Sequence, residues 1–427
     1  MRKPLILLTV IWLVLSIVAP ALAAPKAAAP KPSALKQVVP VPIMVKVNFN
    51  GQQYVPQDAP RFINGTLYTS AVMVARLLGA EYTVSGNYIT IIENKSTLRI
   101  TLGSTKVMFN GQEALMPKAA VMSNGVPMLP LRFAFEQFSA QVKYNTVSQT
   151  VSIDRQESRD GIWPKDLLNT SGRAVNKKDL VKFLLTSDES VSSTKDGASN
   201  RKVTSRDVCT YMQGDPLVFY TKGTESYVED DKERGYYFEA LTRNGVEYLK
   251  VPTVGWTIAP PRDSVRDYGV DIMSDNFDLG YDDDLDDLGA LITFANDQEK
   301  DGKKYWVVEV TLGAAALQSE LDNSHDFAGI VKNNPEVSKM MKNGRFERVC
   351  RVWINKNTML MDYYEINLSL EMKYVDPKSK MRIYMFSTQM KTKYAFSYDI
   401  KFDVPDVGPK PPRFEDVVND ESAMNES

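Results

Sequence analysis

From Tyr364 to Met372 the chain alternates apolar and polar residues without a break, and Tyr394–Val404 does the same over eleven positions. Period two with one apolar side describes antiparallel strands that bury a single face. Weaker strand patterns occupy 216–221, 234–242, 246–251, 304–312, 348–354 and 381–387, with turns at Arg243–Val246 and Asn355–Thr358. A helical pattern is predicted over Asp179–Leu185, followed by a loop rich in Ser, Thr, Asp and Gly up to Asn200, and further helices are predicted near 284–299, 313–322 and 326–342. The sheet side carries Met361, Tyr364, Met372, Tyr384, Met385, Phe386, Tyr394, Phe396, Tyr398 and Phe402. Helices or a ligand must cover such a face. A solid core under helices is the plainer outcome, and the methionines would suit an adaptable apolar cavity.

The N-terminal part repeats itself at an offset of 60 residues. Val47-Asn48-Phe49-Asn50-Gly51 returns as Val107-Met108-Phe109-Asn110-Gly111, Asn64-Gly65 as Asn124-Gly125, and Ala80 as Ala140. Each copy reads strand, Asn-Gly turn, short strand, helix, hairpin. The Asn-Gly pairs supply the positive φ of tight turns. Ser70 and Pro130 stand where a helix begins, and Val74, Leu77 and Leu78 give the first helix one buried stripe. Neither copy is large enough to bury a core alone, so two copies are expected to form one α+β domain.

The pattern V-x-F-N-G … N-G … L-G-A … hairpin, with Met128-Leu129-Pro130-Leu131-Arg132-Phe133 in the second copy, resembles the copper amine oxidase N-terminal (stalk) domain over 43–154. The first copy departs from it, with Tyr68-Thr69-Ser70-Ala71 in place of P-L-R. The resemblance implies a non-catalytic extracellular module common in exported Gram-positive proteins. It implies neither copper nor oxidase chemistry, and the stretch has no histidine with which to hold copper. Over about 173–405 the segment order resembles the half-barrel lipoproteins built like the outer-membrane lipoprotein carrier, the LolA/LppX-like group. The residues that carry this are the leading helix 177–185, Glu247-Tyr248-Leu249 with Gly255-Trp256, Arg351–Thr358 and Phe402-Asp403-Val404-Pro405. That resemblance implies a sheet half-wrapped around a helix, with an apolar cavity that holds acyl chains in some members. Two departures are the lack of a lipidated cysteine and a long acidic insertion at 260–303.

The ends of the chain place it. Met1-Arg2-Lys3, the apolar run Leu5–Val18 and Ala21-Leu22-Ala23 read as a secretory signal peptide over 1–24, too short for a membrane span. Residues 25–42 form an Ala/Pro/Lys linker, 155–172 a second linker, and 406–427 a proline-broken acidic tail expected to be disordered. No later stretch is long and apolar enough to cross a bilayer as a helix. The fold class expected is α+β: a duplicated stalk-type domain followed by a large antiparallel half-barrel with covering helices.

Composition narrows the chemistry. With 51 basic and 53 acidic side chains the chain lacks the basic excess of a nucleic-acid binder. One histidine, His325, leaves a single imidazole base and no two-histidine metal site. No G-x-S-x-G elbow, P-loop or Rossmann fingerprint accompanies it, so a hydrolase using His325 is a distant alternative. Asp282, Asp284 and Asp286 lie in an acidic run that offers calcium-type oxygen ligands without an EF-hand pattern, and a solvated loop is the simpler reading. Cys209 and Cys350 could pair or remain thiols, and the sequence leaves both open. The reading that results is an exported, non-enzymatic envelope or extracellular protein that needs no cofactor. Its partner would be a lipid, another apolar ligand, or a cell-wall or surface protein. Trp256, Met361, Tyr364 and Phe396 are expected to line the ligand site. The alternative is a purely structural or adhesive surface protein with a dry second core.

Overall fold

A computed structural model of the chain describes residues 45–56, 58–195, 198–213, 218–229, 232–252, 254–259, 290–313, 344–375 and 383–418. The signal sequence, the first linker, His325, the aspartates at 282–286 and the helical readings at 313–342 fall outside them.

The N-terminal unit contains β1 (Lys46–Phe49), β2 (Gln52–Tyr54), β3 (Arg61–Ile63), β4 (Thr66–Ser70), α1 (Ala71–Leu78), β5 (Glu81–Ser85), β6 (Tyr88–Glu93), β7 (Ser96–Thr101), β8 (Lys106–Phe109), β9 (Gln112–Leu115), β10 (Val121–Ser123), β11 (Val126–Pro130), α2 (Leu131–Glu136), β12 (Gln141–Asn145) and β13 (Thr150–Asp154). The expected duplication is present as a pseudo-twofold. β4 and β11 run antiparallel at the centre of a sheet ordered β10-β11-β4-β3, and the opposed pair Thr69 and Leu129 are themselves 60 residues apart. The repeat axis therefore passes through that pair. On either side the copies exchange strands. β13 of the second copy pairs in parallel with β1 of the first, and β6 of the first reaches β8 of the second through β7, which has no counterpart.

The turn chemistry is as read. Asn50-Gly51, Asn64-Gly65, Asn110-Gly111 and Asn124-Gly125 all have positive φ. Ser70 caps α1, its hydroxyl accepting from Met73 N at 3.1 Å, whereas Pro130 opens α2 with no side-chain cap. Both helices face one core that includes Val74, Leu77, Leu78, Ala134 and Phe135.

The second unit contains α3 (Pro164–Val175), β14 (Leu180–Lys195), β15 (Ala198–Gln213), β16 (Val218–Glu229), β17 (Lys232–Arg243), β18 (Val246–Val251), β19 (Gly255–Ile258), β20 (Leu291–Lys300), β21 (Lys303–Leu312), β22 (Arg345–Asn355), β23 (Met361–Val375), β24 (Ile383–Tyr398) and α4 (Phe414–Val418). Strands β14 to β24 make one antiparallel half-barrel sheet of eleven strands, ordered β19-β18-β17-β16-β15-β14-β24-β23-β22-β21-β20. The chain is thus a two-domain α+β protein.

Four expectations are corrected. The leading helix is not at 177–185 but at Pro164–Val175, in the stretch read as a linker. Pro164 sits in its first turn, where a missing N–H costs nothing, and Leu167, Leu168, Ser171 and Val175 are its buried stripe. Residues 180–195 and 198–213 form a long hairpin instead of a helix and a loop. Val181, Phe183, Leu185, Ser187, Glu189 and Val191 are buried in strict alternation, and the polar members at 187 and 189 hid the period. Leu291–Lys300, read as helical, is edge strand β20. The strand read over 394–404 ends at Tyr398. Asp399 takes a left-handed conformation, and the chain crosses to the other face of the sheet, where Phe402 stacks on Tyr211 at 4.4 Å. The start of the tail is pinned as well, because Ile258 N donates to Pro412 O at 2.8 Å.

The two units are docked through β20. Leu291 inserts into the N-terminal core, Gln52 Nε2 donates to Ala290 O at 2.6 Å, and Asn94 N donates to Asn296 Oδ1 at 2.6 Å. Gly79, the left-handed cap of α1, lies so close to the backbone of β20 that a Cβ there would stand 1.8 Å from Phe294 O. Arg76 of α1 reaches Glu347 at 3.1 Å and Glu309 at 3.4 Å, and Arg351 meets the other oxygen of Glu309 at 2.8 Å. The connecting segment closes the edge: Arg159 Nη1 donates to Ala295 O at 2.8 Å and to Asp297 at 2.5 Å. An edge strand covered in this way cannot template further pairing.

Candidate ligand-binding face

Strand alternation sorts the half-barrel side chains onto two faces. One face packs on α3. It carries Val181, Phe183 and Leu185 from β14; Tyr394 and Phe396 from β24; Met361, Ile366, Leu368 and Leu370 from β23; Cys350, Val352 and Ile354 from β22; and Trp306, Val308 and Val310 from β21. Aromatic rings form a ladder across it. Tyr364 lies 5.6 Å from Tyr394, Phe183 lies 6.0 Å from Tyr394 and 5.9 Å from Phe396, and Phe396 lies 6.4 Å from Tyr398. Tyr398 donates its hydroxyl to the Met361 carbonyl, which ties β24 to β23. Burial pushes the Tyr394 hydroxyl up to about 12, so it is a neutral donor at any working pH.

Farther along the same strands this face becomes polar. Ser187 and Thr392 share a hydrogen bond of 2.9 Å, and Thr210 and Thr221 one of 3.0 Å. Arg206 pairs with Glu225 at 2.6 Å and lies 4.0 Å from Glu189. Burial raises the Glu189 pKa against the opposing pull of Arg206. The face therefore has an aromatic end and a polar end.

Four buried polar atoms around this volume have no hydrogen-bond partner: Ser171 Oγ on α3, Trp306 Nε1 on β21, Arg348 Nε on β22 and Thr388 Oγ1 on β24. Native proteins leave few such groups, and each one calls for a cause. The helix α3, about 10 Å wide, spans two to three strands of a sheet that is about 50 Å across at a ~4.8 Å strand spacing.

Met361, Tyr364 and Phe396, three of the positions expected from the sequence, meet on this face. Trp256 does not join them. It lies on the opposite face with Tyr220, Leu241 and Phe402, and Lys250 sits over its ring at 5.7 Å. Phe183, Tyr394 and Arg348 were not singled out from the sequence. The first was hidden in the stretch read as helix, and the last looks like an ordinary charge until its register partners, Leu312 and Leu368, are known.

Cys209 and Cys350 are both free. They stand on β15 and β22 with three strands between them, roughly 19 Å apart along the sheet at the usual spacing, too far for a disulfide. Among the described residues no group of acidic, histidine or cysteine side chains is arranged to hold a metal, and no helix is long and apolar enough to cross a membrane.

Two hollows elsewhere are polar. A groove of about 380 Å³ crosses the opposite face beside α1, between Arg76, Asp188, Glu347, Asn367, Gln389 and Lys391. A second, of about 520 Å³, lies in the N-terminal unit among Asn110, Gln137, Ser139 and Arg155.

The strand exchange about Thr69 and Leu129 has a counterpart among known families. Residues 48–153 match the copper amine oxidase N-terminal domain. The stalk-type domain so marked holds no metal-ligand cluster among its described residues. No curated protein matches the chain. Among solved structures, the chain is similar to LprF from Mycobacterium bovis, at 12% identity over 58% of this chain and 97% of that one, with a TM-score of 0.31. It is also similar to the lipoprotein LppX from Mycobacterium tuberculosis, at 13% identity over 56% of this chain and 98% of that one, with a TM-score of 0.26.

Proposed function

We propose that this is an exported, non-catalytic protein of the bacterial envelope or extracellular space whose half-barrel holds an apolar ligand, such as a lipid acyl chain, on its helix-bearing face. The stalk-type domain, clamped to β20, serves as spacer or attachment unit. The observation that carries this reading is the gathering of four orphaned polar atoms around one aromatic face. A dry core selected only for stability would replace such groups with apolar ones of the same shape at little cost. Burial of a hydrocarbon chain at ~25 cal/mol per Å² would supply the binding free energy without bond chemistry. The division we propose is a stalk domain over 43–154 and a half-barrel domain over 173–405, to which α3 also belongs because its stripe packs only on that sheet.

The test is organic extraction of the purified full-length chain followed by mass spectrometry. Reproducible co-purified lipid, near one molecule per chain, is the expected result. A protein that carries no lipid and takes up none from vesicles is instead a structural or adhesive surface protein. That second reading draws on the tight packing of Phe183 and Met361, which are 0% and 3% exposed.

A further inference from the structure

A row of side chains crosses the helix-bearing face through Leu312, Arg348, Leu368 and Met390. It sets a cation among apolar neighbours. Arg348 Nε is buried and meets no acceptor, while the rest of the guanidinium faces the Cys350 thiol and the Tyr364 hydroxyl. Neither neighbour is charged at neutral pH. Burial acts to lower the Arg348 pKa, but those two neighbours more than offset it and the pKa is raised, so the group remains a cation. Arg206 on the same face shows what a satisfied arginine looks like there, with a glutamate at 2.6 Å and another at 4.0 Å. Among the described residues no carboxylate plays that part for Arg348. A cation in an apolar setting without a counter-charge is unfavourable unless something anionic meets it.

We infer that Arg348 anchors the head of a long-chain carboxylate whose hydrocarbon runs along the rings of Tyr364, Tyr394, Phe183 and Phe396. The inference rests on the apolar-ligand reading above and names its chemical class. Nε and the adjacent Nη of a guanidinium form one edge of a planar fork that the two oxygens of a carboxylate span. The ladder begins at Tyr364, which touches Arg348, and continues through Tyr394 at 5.6 Å to Phe183 at 6.0 Å. Head contact and chain contact are therefore continuous on one surface.

The experiment is titration of the lipid-stripped full-length chain at pH 8 with palmitate, methyl palmitate and acetate. Palmitate is expected to bind at least tenfold more tightly than its methyl ester, with no measurable binding of acetate. In Arg348→Met the two long-chain probes should bind equally, with the ester affinity unchanged from wild type. Equal affinity of palmitate and ester for the wild-type chain overturns the anchor and leaves the apolar-ligand reading standing. Binding of neither long-chain probe overturns both. The wild-type comparison decides the matter even where the variant fails to fold.

Discussion

The stalk-type domain and the half-barrel both bury one apolar face, but they treat polar groups there differently. In the first, the pseudo-twofold brings matching elements onto a shared core, and its polar groups are met locally. Ser70 caps α1, the Tyr68 hydroxyl donates to Ala119 O at 2.9 Å, and Arg155 pairs with Glu93 at 2.8 Å. Arg61 Nε is its one orphan among the described residues, and another nitrogen of that side chain reaches Ser123 O. In the half-barrel four orphans surround one volume. A self-satisfied core suits a spacer, and a core with unmet groups suits a site. The two are nevertheless joined rigidly, so the contrast can be broken by uncoupling them.

The largest effect is expected from Gly79→Ala. The position requires φ of 59°, which costs an L-residue roughly 1–2 kcal/mol, and the new methyl would collide with Phe294 O of the edge strand. Backbone on backbone cannot yield by a rotamer change. The variant should lose at least ~3 kcal/mol of stability, and its urea unfolding should split into two transitions. A single, unshifted transition would mean that the domains are not coupled through β20. Arg76→Ala comes next. It leaves Glu309, whose side chain is 3% exposed, with Arg351 alone, and strands Glu347. Removing one partner of a largely buried ion pair costs about 3 kcal/mol, less here because Arg351 remains. A double-mutant cycle with Glu347→Gln should return a coupling of ~1–2 kcal/mol.

The difference between the domains also governs how much of each was legible beforehand. In the stalk-type domain the signals are local: Asn-Gly turns, a serine cap, an i, i+3, i+4 stripe, and a 60-residue echo that confirms each of them. The parallel pairing of β1 with β13 is long-range and left no mark on the chain. In the half-barrel, strands with uniformly apolar inner positions, such as Tyr364–Met372, were plain. β14 was not, because Ser187 and Glu189 occupy inner positions at the polar end of the face, and removing them from the alternation leaves what looks like a short helix before a loop. α3 was lost because Pro164 and Gly172 read as breakers, although a proline in the first turn favours a helix start. The site followed the same rule. Aromatic members on clean strands were found, Trp256 was assigned to the wrong face because its strand is only four residues long, and Arg348 carried no signal without its neighbours.

Glu157, in the segment that joins the two regions, supplies a pH test of their union. It is 8% exposed. Burial, with Glu93 adding to it, raises its pKa from 4.5 to about 8 against the opposing pull of Arg155 and Arg159. Below pH 4.5 the carboxyl is neutral both folded and unfolded. Between 4.5 and 8 the unfolded chain ionises and the folded one does not, so stability falls as pH rises through this window. Glu157→Gln removes that loss. Its melting temperature should exceed the wild-type value by a few degrees at pH 8.5 and match it at pH 4.5. A gain that is the same at both pH values would show that the carboxyl is ionised in the native protein.

The smallest effect gives the sharpest form of the contrast, because the same deletion of one hydroxyl should have opposite signs in the two domains. Ser70 Oγ accepts from Met73 N at the start of α1, so Ser70→Ala leaves that N–H unmet inside the stalk core and should cost ~1 kcal/mol. Thr388 is 1% exposed and its Oγ1 has no partner. Thr388→Val keeps the shape and the β-branch while removing a desolvated hydroxyl, so it should be neutral or stabilising by up to ~1 kcal/mol in the lipid-stripped chain. With palmitate or co-purified lipid present, a hydroxyl that serves the ligand would turn that gain into a loss. Chemical denaturation of both variants, with and without lipid, reads the four values directly. A cost for Thr388→Val in the stripped protein equal to that of Ser70→Ala would mean that its hydroxyl is satisfied after all, and that the half-barrel face is as complete as the stalk core.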